Sequence, residues 1–193
     1  GALESQFEDT ARRWLDRYSG NSAVLLNVLK TGTENLSAFI SEFTINESFF
    51  LRNKEHFTSA MEYIKGVLDK KDVVSVLSVG CSNGCEPYSL AMVLDQDTPG
   101  ILRRVRIHGI DISKKVIEKA KHGVYHKWYL RNADKEIEDK FFIKKDSLFC
   151  LDKRIKSSVR FHVGNLYNFE FGEKFDVIFC RNFLIYFVNE TET

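Results

Sequence analysis

The residues best placed to do chemistry are two carboxylates standing next to a glycine-bearing turn. The β-branched run Val73-Val74-Ser75-Val76-Leu77-Ser78-Val79 closes on Gly80-Cys81-Ser82-Asn83-Gly84-Cys85-Glu86-Pro87. Glycines in such a turn let the backbone approach a ligand closely and adopt conformations that other residues avoid. A second strand-like run, Val105–Ile110, ends in Asp111. A carboxylate at that point accepts the hydroxyls of a ribose, so turn and acid together read as a nucleoside site. The spacing argues against a dinucleotide. The G-x-G-x-x-G fingerprint seats a pyrophosphate at a helix N-terminus. Here the glycines are four apart and Glu86 stands where the phosphate would lie. A carboxylate repels phosphate and suits a cation, and S-adenosylmethionine combines a ribose with a positive charge and carries no phosphate.

The same turn also fits G-x-S-x-G, the nucleophile elbow, through Gly80, Ser82 and Gly84, with Asp111 or Asp146 and His162 following in chain order. No glycine-rich oxyanion segment precedes it, and the chain is short for a hydrolase of that kind. The four cysteines do not form zinc-ligand spacing, and the five histidines are dispersed, so no metal site is expected. Free thiols in a chain of 193 residues point to a reducing compartment, the cytoplasm. The opening Gly1-Ala2-Leu3-Glu4 has neither the basic nor the apolar stretch of a signal peptide. Lys and Arg number 28 against 27 Asp and Glu, which gives no basic excess for nucleic acid. No apolar run reaches the roughly 20 residues a membrane helix needs.

The elements that must position these groups follow from periodicity. Apolar residues at Phe7, Ala11, Trp14, Leu15 and Tyr18 predict a helix over 4–18, with Arg12, Arg13 and Arg17 on its polar side. Those arginines are a solvated face or a patch that docks an acidic helix. Ser22 is the predicted cap of a second helix through Leu29, and Leu36–Phe43 is a third. Helical residues 1–43 therefore precede a segment, 44–72, made of a linker and the helix Asn53–Leu68. An α/β domain over 73–193 follows. In it, Tyr88–Leu94 and Lys114–His122 are predicted helices, the latter capped by Ser113. Val159–Val163 and Phe175–Cys180 are the third and fourth strands. Strands alternating with helices imply a parallel, doubly wound sheet. Residues at about 125–160 break the rhythm and read as an insertion of short strands.

Four blocks, in order, resemble the CheR family, the methyltransferases that esterify glutamates on bacterial chemoreceptors. Thr44-Ile45-Asn46-Glu47-Ser48-Phe49-Phe50-Leu51-Arg52 resembles T-x-N-E-T-x-F-F-R. Gly80 through Ala91 resembles G-C-S-x-G-E-E-P-Y-S-L-A. Gly109-Ile110-Asp111-Ile112-Ser113 with Ala120-Lys121-His122-Gly123-Val124-Tyr125 resembles T-D-I-S…A-x-x-G-x-Y. Phe175 through Phe187 resembles F-D-V-I-F-C-R-N-x-x-I-Y-F.

The resemblance implies a class I S-adenosylmethionine-dependent methyltransferase sheet, Rossmann-like, with a short helical N-terminal region and a small β-subdomain insertion. It implies that Asn46, Ser48 and Arg52 reach over the cofactor and that Gly80 and Glu86 line its methionine end. Asp111 would hold the ribose, Asn165 and Leu166 would flank the adenine, and Asn182 would border the cofactor beside the transfer site. Arg181 and Tyr186 are the expected catalytic pair that orients the accepting carboxylate. The implied partner is a chemoreceptor or another acidic helical signalling protein.

Three departures stand out. Cys85 replaces the first glutamate of the family's E-E-P, the helical region before Asn46 is short, and the chain stops just past the fourth strand. That last point exposes the fourth-strand edge and predicts that it is capped, by a partner chain's strand such as that of a second copy or by a repositioned C-terminal segment. It also sets up an alternative function, a CheR-like module that binds S-adenosylmethionine or S-adenosylhomocysteine as a sensor without turnover.

Overall fold

The computed structural model describes residues 2–32, 35, 36, 38, 39, 42 and 48–181, with the side chains of residues 2–7 outside that description. The chain forms two compact units, Gly1–Glu47 and Ser48–Thr193.

In the first unit, helix α1 (Ala2–Asp16) and helix α2 (Ser22–Thr31) bury Trp14, Leu25 and Leu29 together, with Leu15, Tyr18, Leu36 and Phe39 packed against them. The cap of α2 is Asn21, not Ser22. The Asn21 carboxamide oxygen accepts the N–H groups of Ala23 and Val24, satisfying two of the donors a helix start leaves open. Arg17 stacks on Trp14 at 4.5 Å and, with Arg13, faces Glu42 at 3.5 and 4.0 Å. The three arginines are thus not all a free solvated face. Among the described residues of 36–43, positions 36, 38, 39 and 42 are helical.

The second unit begins with helix α3 (Lys54–Leu68) and then builds a four-stranded parallel sheet. Strand β1 (Val74–Val79) is buried at every position, which is why its sequence is nearly continuous in apolar and small residues rather than alternating. Helix α4 (Cys85–Asp97) follows, then strand β2 (Val105–Asp111) and helix α5 (Lys114–His122). Next comes the insertion. Strands β3 (Val124–His126), β4 (Phe142–Lys145) and β5 (Leu148–Leu151) form an antiparallel sheet in the order β3-β5-β4, with the short helix α6 (Lys135–Phe141) between β3 and β4. A single-turn helix α7 (Lys153–Ser157) leads to strand β6 (Val159–Val163), and strand β7 (Val177–Phe179) completes the parallel sheet.

The parallel order is β6-β2-β1-β7. The chain moves outward from β1 through β2 to β6 and then returns to the other side of β1. Strand direction of travel therefore reverses at β1, and ligands in such sheets bind outside the carboxyl ends at that point. The order is the doubly wound one expected of a class I methyltransferase. Among the described residues β7 pairs with β1 alone, and Ile178 on it is exposed.

One face of the sheet carries the main core. Val74, Val76, Val105, Ile107, Val159 and Phe179 meet Phe57, Ile64 and Leu68 of α3 and Tyr88, Leu90 and Leu94 of α4. Phe57 is stacked on Phe179 at 5.7 Å. Tyr88 ties α4 to α5 by donating its hydroxyl to the Ala120 carbonyl. The other face holds Leu77, Val79 and Ile110 under Leu166, Phe169, Phe171, Phe175 and Cys180.

Candidate functional site

The site forms where β1 and β2 end. Glycine is required there. Gly84 has φ +84°, and a Cβ on it would lie 2.9 Å from the Ala120 Cβ and 3.0 Å from ring atoms of Phe161 and Tyr88. Three non-glycine residues around the site also have left-handed backbone: Leu51 (φ 57°), Asn53 (φ 59°) and Ser82 (φ 50°). Such conformations cost of order 1–3 kcal/mol each and persist where the surroundings over-determine them. Here the surroundings do so through hydrogen bonds. The Leu51 N–H donates to the Ser89 hydroxyl, which donates to the Cys85 carbonyl, and the Ser82 N–H donates to Asp111 Oδ2 at 2.9 Å.

Asp111 uses its other oxygen to accept the Ser113 N–H at 2.9 Å. One carboxylate therefore fixes the turn after β1 and the turn after β2. Ser113 occupies the cap position of α5, but its side chain makes no capping bond; the hydroxyl is buried with no hydrogen-bond partner. The predicted cap position is thus Ser113, held by its own N–H to Asp111 rather than by a side-chain capping bond. Burial pushes the Asp111 carboxyl up, against the two N–H donors that hold it down. The Gly164 N–H donates to the Asp111 carbonyl, which brings Asn165 and Leu166 beside it. The Asn165 side chain accepts the Tyr167 N–H, and Leu166 packs against the Leu77–Val79–Ile110 cluster.

Glu86 lies in the first turn of α4, where a negative charge is favoured by the helix dipole. Burial raises its carboxyl, offset by the hydroxyl of Ser78 and the charges of Arg181 and Arg52. The Ser78 hydroxyl donates to Glu86 Oε1 at 2.8 Å, and Arg181 lies 3.4 Å from Oε2. The same guanidinium donates to the Arg52 carbonyl at 2.8 Å and to Asn53 Oδ1 at 2.7 Å. Arg181 is therefore a brace between the Glu86 turn and the segment before α3. Ser48 hydrogen-bonds the Cys85 thiol, whose pKa burial raises strongly.

Glu86, Arg181, Arg52, Ser48, Gly80 and Asp111 thus gather at one end of the sheet, with Asn165 and Leu166 beyond β6. Asn46, Asn182 and Tyr186 lie outside the described residues. Ser78, Ser89 and Asn53, none of them singled out from sequence, hold the site together. Only the folded backbone reveals that Ser78 on β1 faces Glu86. The hydrolase alternative finds no support, because His162 is turned to His108, with ring nitrogens 3.0 Å apart. Among the described residues no group of three or more His, Cys, Asp or Glu side chains is arranged to hold a metal ion, and no helix is long and apolar enough to cross a membrane.

A sheet that reverses at β1, with one acid at the end of β2, another in the first turn of the helix after β1, and no phosphate-binding glycine pattern, is the class I methyltransferase arrangement. The chain belongs to the CheR family: the model of the CheR methyltransferase SAM-binding domain matches residues 46–193. The chain is 32% identical over 184 residues to a chemotaxis protein methyltransferase of Borreliella burgdorferi, covering 89% of this chain and 65% of that protein. It is 33% identical over 175 residues to a chemotaxis protein methyltransferase of Campylobacter jejuni, covering 89% and 64%. The chain thus spans just under two thirds of the length of these relatives. Among solved structures, the plantazolicin methyltransferase BpumL bound to SAH is similar at 18% identity and TM-score 0.35, over 92% of this chain and 47% of that one.

S-adenosylmethionine is the cofactor, and the donor set fits it. Glu86 at a helix N-terminus opposes a phosphate and favours a cation, Asp111 suits a ribose, and the buried Ser113 hydroxyl beside it is unsatisfied.

Proposed function

We propose that the chain methylates the side-chain carboxylate of a glutamate on a chemoreceptor or a related acidic helical signalling protein in the cytoplasm. The observation that carries this reading is the placement of Glu86, in the helix turn after β1, and Asp111, at the end of β2, with Arg181 joining Glu86 to residues 52 and 53. In this reading Asp111 accepts the ribose hydroxyls. Gly80 and Glu86 line the methionine end, with Ser48, Arg52 and Asn46 closing over it. Asn165 and Leu166 flank the adenine, and Asn182 borders the cofactor. Arg181 acts by bracing Glu86 against the 52–53 backbone, and Tyr186 helps orient the accepting carboxylate.

Bound there, S-adenosylmethionine supplies a sulfonium methyl to a carboxylate oxygen and leaves as S-adenosylhomocysteine, the sulfur keeping the bonding pair and no proton moving. Glutamate has an ordinary pKa near 4.3, so at pH 7 the acceptor is already ionised and the protein needs no general base. Its task is to strip water from the carboxylate and hold it in line, a matter of proximity and orientation. Glu86 and Asp111 are only partly exposed and burial raises both carboxyl pKa values, which supports a site with reduced access to water.

Two measurements test the reading. Calorimetric titration with S-adenosylhomocysteine is expected to show binding that Asp111→Ala weakens by about 30-fold or more, the loss of charge-assisted hydrogen bonds. Labelled methyl is expected to pass to chemoreceptor-bearing membranes as a base-labile ester. No heat of binding overturns the whole reading. Binding without any ester supports instead a module that senses the cofactor without turnover.

A further inference from the structure

Beside the site, on the side of the antiparallel insert, an arginine is held between two aromatic rings. The guanidinium carbon of Arg131 lies 3.3 Å from the Phe49 ring centre and 3.6 Å from that of Trp128. The two centres are 6.2 Å apart with the rings at 75°, so the guanidinium sits between them. Arg52 lies over the same Phe49 ring at 5.6 Å. The rack is anchored on both sides. Trp128 packs edge-on to Tyr129, Tyr129 to Tyr125, and the Tyr125 hydroxyl donates to the Asn83 carbonyl in the glycine turn at 2.8 Å. The Phe50 N–H donates to the Tyr129 carbonyl.

This arrangement is open to solvent. Arg131 is exposed and Trp128 is 50% exposed. Of the five N–H donors a guanidinium carries, one is given to the Trp128 carbonyl at 3.2 Å. Among the described residues no carboxylate pairs with Arg131. Arg181, in contrast, has its fork committed to Glu86, Arg52 and Asn53. Contact with a ring on either side restrains the guanidinium, and its exposed N–H groups can take a carboxylate through charge-assisted hydrogen bonds. Holding the group in advance removes the rotamer cost a free arginine would meet on binding. Arg131 is near enough to the start of α4 for its charge to act on Cys85.

We infer that Arg131, held between Phe49 and Trp128, is the subsite that takes an acidic side chain of the protein substrate adjacent to the accepting glutamate, and so sets the choice of acidic helical segments. This rests on the methyl-transfer reading above. On a helix, a residue one turn from the acceptor has its Cβ about 5–6 Å away, the right scale for two neighbouring carboxylates to be received by separate groups. Two adjacent cations, Arg52 and Arg131, raise the local positive potential that draws such a segment in.

The test uses the full chain and two synthetic helical peptides, each with one accepting glutamate. One carries aspartate a turn away and the other carries asparagine there. The wild-type chain is expected to prefer the aspartate peptide through a lower KM. Arg131→Gln is expected to raise KM for that peptide by about tenfold, the order of one charge-assisted pair, and to move kcat little. For the asparagine peptide the variant and the wild type should coincide, and the affinity for S-adenosylhomocysteine should hold. Arg131→Lys, which keeps charge but not the fork, should recover part of the preference. The inference is overturned if the wild-type chain treats the two peptides alike, if Arg131→Gln raises KM equally for both, or if cofactor affinity falls in step. Wild-type labelling of receptor membranes is the control. Its absence would sink the methyl-transfer reading, and its presence assigns a failure with the peptides to this inference alone.

Discussion

The two faces of the parallel sheet are built by different means. On one, α3, α4 and α5 bury a core in which Phe57, Ile64, Tyr88, Leu90 and Leu94 are almost wholly excluded from water. On the other, the described cover is a loop over 164–176 whose phenylalanines 169, 171 and 175 are only partly buried. That second face also encloses polar groups. His108 and His162 stack with ring centres 5.2 Å apart, His108 faces Glu173 at 3.4 Å, and Glu173 accepts the Ser75 hydroxyl at 2.7 Å. Asp176 accepts the Ser75 N–H and pairs with Lys71. The helix-covered face derives its stability from apolar area. The loop-covered face is fastened by a few long-range polar contacts, so it should respond to pH where the other does not.

The sharpest way to break this contrast is a pair of truncations. Phe57→Ala should cost about 3–5 kcal/mol, the range for a fully buried aromatic. Phe171→Ala, with less area to lose, should cost about 1–2 kcal/mol on the same scale. Urea unfolding of the two variants measures both, and equal losses would erase the distinction. Next in size, Gly84→Ala forces a Cβ against Ala120, Phe161 and Tyr88 at a positive φ. It should cost about 1–3 kcal/mol through overpacking and backbone strain, and should weaken binding of S-adenosylhomocysteine.

The smallest effect is on pH dependence. Burial lowers the pKa of His108 and of His162, so the folded protein holds both neutral where the unfolded chain would protonate them. For groups depressed in the fold, the unfolded state binds more protons below the ordinary histidine pKa, and stability falls as pH drops through that value. The histidine pair's contribution is therefore whole above about pH 6.5 and declines on acidification below it. His162→Gln should flatten that decline between pH 7 and pH 5.5 in urea titrations. An unchanged slope would show that the histidine pair does not carry it.

Much of the helix-covered face was legible in the sequence, and little of the other was. Parallel strands buried on both sides appear as β-branched runs, so β1 and β2 stand out, and the glycine turn and Asp111 follow from where those runs end. The helices α4 and α5 were placed correctly apart from their margins, with α4 starting at Cys85, two residues ahead of Pro87. Capping was misread at Ser22, because the neighbouring Asn21 offered the better-placed acceptor, whereas Ser113 does stand at the cap position of α5. The histidine pair was invisible because its members are 54 residues apart and meet only through the β2–β6 register, which sets Ile110 opposite His162. Arg131 was hidden for the same reason: its ring partner Phe49 belongs to a distant segment.

The bond from Tyr125 to the Asn83 carbonyl has a consequence for replacing the insert. The antiparallel insert looks like a cassette, three strands and two short helices spliced between α5 and β6, and loops or subdomains placed in this way are commonly exchanged. Here one edge of the cassette supplies the hydroxyl that satisfies a buried carbonyl of the cofactor turn, while its Tyr125 and Phe142 rings pack on Phe50. A chimera carrying a foreign insert without a tyrosine at that register would leave the Asn83 carbonyl unpaired, at a cost of about 1–3 kcal/mol. Insert and glycine turn are therefore coupled in this chain, and a graft of the insert has to carry Tyr125 and its Phe50 contact across as a unit.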